Sequence, residues 1–142
     1  MDKQLPDADA PLMIRTYFDD PAAWAALRRA VETPLLVEGE PLEADVQYVD
    51  DRAYEHVTPE RLVALAPAGG AYYCFVADRL AMASDEHPVI AVDLDDDEER
   101  RGRTFRIVAG ELVSFDANLS IANMDFWEWA DAADADGIFR GF

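Results

Sequence analysis

The chain has 142 residues, with 30 acidic side chains against 12 basic ones, giving a formal net charge of −18 at pH 7. A surface this acidic repels phosphate backbones and anionic headgroups, so direct nucleic-acid binding and membrane attachment are not expected. Lys3 is the sole lysine, which leaves no internal candidate for Schiff-base or Walker-type lysine chemistry, and the single Cys74 excludes an internal disulfide.

An apolar fraction of 51% is enough for one core, and the length suits one domain. The first residues lack the basic start and apolar stretch of a secretory signal, so a cytoplasmic location is expected. Residues 1–11 are polar and acidic and read as a flexible tail; residues 12–142 read as a single α/β domain.

Leu12 to Phe18 has the β-branched and aromatic character of a strand. Asp20 followed by Pro21 signals a helix start, with Trp24, Leu27 and Val31 at helical spacing and Thr33-Pro34 as its end. A polar stretch then leads to a second strand over 44–49. Thr58-Pro59 opens a short second helix, with Val57 and Leu62 at staple spacing and Pro67 as the stop. Tyr72 to Ala77 and Val89 to Val92 are continuously apolar and should be central strands. Thr104 to Val108 alternates and pairs most simply with the preceding strand as an antiparallel hairpin across the acidic run. Beyond Gly110, Leu112, Phe115 and Leu119 fit a short helix, while 119–121 could instead add a strand. Asp125 and Glu128 have capping-box spacing, so a last helix follows, with Phe126, Trp129, Ala130 and Ala133 inward and Gly137 as its terminator. The fold class is therefore α/β, with α+β as the variant: a mixed five- or six-stranded sheet covered by three or four helices.

The acidic run Asp93-Leu94-Asp95-Asp96-Asp97-Glu98-Glu99 places carboxylates at the first three ligand positions of a calcium loop. Glu98 and Thr104, however, stand where the turn glycine and the bidentate glutamate belong. A solvated hairpin tip is the reading. His56 and His87 have no His, Cys or Glu at ligand spacing, so neither a metal site nor a cofactor is expected. Ser84, His87 and Asp93 could be drawn as a triad, but no nucleophile elbow accompanies them. Asp131, Asp134 and Asp136 lie at the negative end of the last helix and call for a cation, for which Arg140 is nearest.

Two site hypotheses remain. Asp78 follows one central strand and Asp93 lies at the end of the other; with Glu111 or Asp125 they could form a carboxylate set for a magnesium-assisted hydrolase or a small-molecule enzyme. Alternatively, Trp127 lies about 100° around the helix from Phe126 and so can be half exposed. Ringed by Asp125, Glu128 and Asp131, it has the makings of an anchor for a basic protein partner. Packing of Trp127 against Phe139 and Phe142 is the competing structural role.

Asn118 to Phe126, followed by Asp136-Gly137-Ile138-Phe139-Arg140-Gly141-Phe142, resembles the ending of a bacterial family of small acidic domains of unknown function. Ile14-Arg15-Thr16, Val49-Asp50-Asp51 and Phe75-Val76-Ala77-Asp78 resemble it too, so the likeness spans nearly the whole chain after Leu12. The resemblance implies one domain and assigns no activity. Composition and motifs together favour a non-enzymatic interaction domain of inhibitor, immunity-like or regulatory type, with the hydrolase as the alternative.

Overall fold

The structure is a computed structural model that describes residues 3–6, 8, 10–67, 70–121 and 123–142. Its framework is a six-stranded mixed sheet in the order β4-β1-β5-β6-β7-β8. The strands are β1 (Leu12–Arg15), β4 (Gln47–Val49), β5 (Tyr73–Ala77), β6 (Pro88–Asp93), β7 (Thr104–Val108) and β8 (Ile138–Phe139). β4 and β5 flank β1 in parallel, β6 runs antiparallel to both β5 and β7, and β8 closes the far edge parallel to β7. A separate hairpin, β2 (Leu35–Val37) with β3 (Glu40–Leu42), pairs only with itself.

The helices are α1 (Pro21–Glu32), α2 (Pro59–Leu65), α3 (Arg79–Ala83), α4 (Leu112–Ser120) and α5 (Phe126–Asp131). The start signals work locally as the sequence implies. The Asp20 carboxylate accepts from the Ala23 N–H at 3.0 Å, and Thr58 Oγ1 accepts from the Arg61 N–H at 3.3 Å. Each satisfies a backbone donor that the helix itself leaves open. The parallel crossovers β1–α1–β4 and β4–α2–β5 step across the sheet in opposite directions, so right-handed connections must place α1 and α2 on opposite faces. They do: α1 supplies Trp24, Leu27 and Val31 to one core, and α2 supplies Leu62 and Leu65 to the other.

Strand alternation sorts side chains between these cores. On β5, Tyr73, Phe75 and Ala77 face α1, α3, α4 and α5, while Cys74 and Val76 face α2. The larger core centres on the fully buried Phe115, whose ring lies 5.2–5.9 Å from those of Tyr73, Phe75, Phe105, Phe126 and Trp129, mostly edge to face. Its contacts explain why the ambiguous 112–120 segment is helical: Leu112 and Phe115 both reach this core only from a helix lying on the sheet.

Near the N-terminus Leu5 is buried, its N–H donates to the Leu65 carbonyl, and Tyr54 donates its hydroxyl proton to the Gln4 carbonyl. Lys3 pairs with Asp51 at 2.7 Å. Several expectations need correction. The second strand is shorter than expected, beginning at Gln47 rather than Ala44. The polar stretch before it holds the β2–β3 hairpin, whose Glu38-Gly39 turn has positive φ at both residues, as a tight two-residue connection requires. The last helix ends at Asp131, not at Gly137. Gly137 instead sits at φ +82° in a turn closed by its N–H on the Asp134 carbonyl, and this turn delivers β8 to the sheet edge.

Candidate functional site

Asp78 and Asp93 both end strands, but β5 and β6 are antiparallel, so their carboxyl ends lie at opposite edges of the sheet. Asp93 is registered against Tyr73, the first residue of β5, whereas Asp78 follows the last. Five residues of strand, roughly 17 Å, separate the two positions. The same separation parts Ser84 and His87, at the start of β6, from Asp93 at its end. His87 Nδ1 contacts the Ala81 carbonyl at 3.0 Å.

At the first edge the charges answer one another. Asp78 caps α3 by accepting from the Ala81 N–H at 3.1 Å and grips the Arg106 guanidinium through two bonds of 2.6 and 3.0 Å. Arg15, buried against Phe18 and Trp24, donates to Asp50 at 3.2 Å. Arg140 holds Asp134, Asp136 and Glu86, each at 2.8 Å at its shortest contact, which meets the demand for a cation beyond the last helix. Phe142 packs on Trp129 and Phe139, with ring centroids 4.9 and 5.0 Å away, rather than on Trp127.

The opposite edge opens into a cleft of about 640 Å³ that brings Asp93, Asp125 and Trp127 together. One wall is the start of β5 with Tyr72 and Tyr73; another is the end of β6 with Asp93 and Asp95; the third is α4–α5, with Leu119, Met124, Asp125, Phe126 and Trp127. Asp93 is buried and fully engaged, taking a bond from Arg103 at 3.0 Å and one from the Asp95 N–H at 3.0 Å. Asp125 differs. It occupies the position before α5, but its side chain makes no capping bond, and it pairs with no cation among the described residues. Trp127 beside it is 41% exposed and Tyr72 across the cleft is 71% exposed, so two aromatic faces border an unspent carboxylate. Asp131 lies one helical turn beyond Trp127 and is exposed; neither it nor the half-buried Glu128 lines the cleft.

The acidic run beside the cleft is a structured turn. The Asp95, Asp97 and Glu99 N–H groups donate in succession to the carboxylates of Asp93, Asp95 and Asp97, each at 2.9–3.0 Å. This ladder of side-chain turns satisfies the loop backbone locally. Arg101 pins the loop from behind by donating to the Leu94 and Val63 carbonyls. Among the described residues, no three metal-ligating side chains converge.

Sequence reasoning missed the Tyr73 contribution. Its hydroxyl donates to Asp116 at 2.6 Å, and burial holds that phenol above the ordinary tyrosine range. Asp116 also accepts from the Asp45 N–H at 3.3 Å, tying the entry to β4 to the cleft wall. The strand alternation at 72–77 could have signalled that Tyr73 faces the helices. Cys74, one residue on, points into the opposite core, where burial pushes its thiol up to about 12. It is no nucleophile for this cleft.

The model of a domain of unknown function, DUF6924, matches residues 10–142. The chain belongs to this family. No curated protein matches the chain. The DUF6924 match runs through β1, the cleft and β8, so both edges of the sheet fall within the family domain. No described helix is long and apolar enough to cross a membrane.

Proposed function

We propose that this DUF6924 domain is an interaction module, of inhibitor, immunity-like or regulatory type, that receives a basic segment of a partner protein in the Trp127 cleft. One observation carries the reading: the exposed Trp127 stands beside Asp125, which makes no capping bond and no ion pair among the described residues, and Tyr72 lines the same cleft. Aromatic faces next to a free carboxylate suit a guanidinium or ammonium group, which gains both a cation–π contact and a charge-assisted hydrogen bond. Of the two arginines that also line the cleft, Arg103 is hydrogen-bonded to Asp93 at 3.0 Å and Arg100 lies 3.9 Å from Asp97. Asp131 and Glu128 would then form the rim that steers encounter, adding to association rate more than to residence time.

The hydrolase alternative has less support, because Asp78, bonded to the start of α3 and to Arg106, lies at the opposite end of β5 from the residue paired with Asp93. The test of the interaction reading is fluorescence anisotropy with a labelled arginine-rich peptide. The account expects binding that weakens as salt rises, a loss of tenfold or more, about 1.4 kcal/mol, in Trp127→Ala, and little change in Glu98→Gln at the hairpin tip. Equal losses in both variants would reduce the effect to net charge and end the reading.

A further inference from the structure

We infer that the β2–β3 hairpin is a second docking element, independent of the cleft, for a different protein whose apolar surface is rimmed by lysine or arginine. Its two strands pair only with each other, and Leu35, Leu36, Val37 and Leu42 are exposed by 39%, 70%, 46% and 41%. The register places Leu35 against Leu42 on one face and Leu36 against Pro41 on the other, so both faces are apolar. An isolated two-stranded hairpin gains little stability in water, and clustered exposed apolar side chains mark contact surfaces. The Glu38-Gly39 turn, with positive φ at both positions, sets the shape of the hairpin before anything binds.

The surrounding charge selects the occupant. Glu38 and Glu40 lie within the hairpin, Glu32, Glu43 and Asp45 flank it in sequence with Glu32 3.6 Å from Arg28, and the sequence has no Lys or Arg between Arg29 and Arg52. At the foot of the hairpin, Pro34 and Leu35 edge a hollow of about 480 Å³ whose other wall carries Asp85 and Glu86. A second copy would bring the same acidic rim against itself, because a two-fold interface is self-complementary in position, and like charges facing each other oppose association. A chain with a basic rim meets no such opposition.

The experiment pans a random-peptide phage library on the intact protein and then challenges the enriched pool with Leu36→Ser and with Trp127→Ala. Leu36 lies outside both cores, so Leu36→Ser should unfold at the same temperature as the parent, confirming an intact domain. The proposal expects a class of peptides with Lys or Arg flanking apolar residues, retained by Trp127→Ala and weakened about tenfold or more by Leu36→Ser. Enriched peptides that lack basic residues, that bind Leu36→Ser as well as the parent, or no enrichment at all would overturn it. Peptides lost only in Trp127→Ala would uphold the cleft and overturn the hairpin. Sedimentation showing a dimer that Leu36→Ser dissolves would name a second copy as the occupant and contradict the proposal.

Discussion

The two edges of the central sheet carry the same residue in the same local position and use it differently. Asp78 stands before α3 and Asp125 before α5. The first caps its helix and clamps Arg106; the second does neither and faces a cleft. A carboxylate with two partners on its own chain is part of the fold, whereas one left beside an exposed tryptophan has its bonding capacity available to a visitor. Position in sequence does not separate the two; the cations within reach do.

The sharpest contrast should come from the two tryptophans of α5. Trp129 is 1% exposed at the centre of an aromatic cluster, and Trp129→Ala should cost about 3–5 kcal/mol in chemical denaturation. Trp127→Ala should cost under about 1 kcal/mol while abolishing most peptide binding. Comparable stability losses would mean that Trp127 belongs to the core.

The aspartates give the next largest difference. Asp78→Ala removes a cap and strands Arg106, for an expected loss of about 2 kcal/mol, whereas Asp125→Ala should stay within about 0.5 kcal/mol of the parent. If Asp125→Ala proves as destabilising as Asp78→Ala, the distinction between the two edges collapses.

A smaller effect concerns pH. The Arg140 guanidinium holds the Asp136 carboxyl below its ordinary value. The clasp therefore contributes fully above the unfolded-state pKa of Asp, about 4, and is lost as pH falls through the lower folded value. The difference in Tm between the parent and Arg140→Met should be constant near pH 6 and shrink below about pH 4. A difference that grows on acidification would contradict the assignment. Smallest of all, Cys74 should not react with a thiol reagent at pH 8 until the domain unfolds, because burial leaves almost no thiolate.

Much of the fold was legible because local signals coincide with long-range demands. Asp20-Pro21 and Thr58-Pro59 open helices whose apolar stripes, Trp24-Leu27-Val31 and Leu62-Leu65, are those the two cores need. The hairpin and β8 were not legible. β2 and β3 expose their apolar residues, so burial leaves no pattern there, and β8 is two residues long, held by a turn at Gly137 that looks like a helix terminator in sequence. For the site, the half-exposed Trp127 follows from its helical angle to Phe126. That Asp93 would join Asp125, and that Asp78 would not, depends on β6 running antiparallel to β5. Residue types alone do not encode that direction at a strand end.

The most direct test of the central claim is a ¹⁵N-HSQC titration of the intact protein with a short arginine-rich peptide at low and moderate salt. The account predicts shifts confined to Tyr72, Tyr73, Leu119, Asp125 and the Trp127 indole, with the Asp78 edge silent. Shifts concentrated on the Asp95 to Glu99 loop, with an unmoved Trp127 indole, would contradict it.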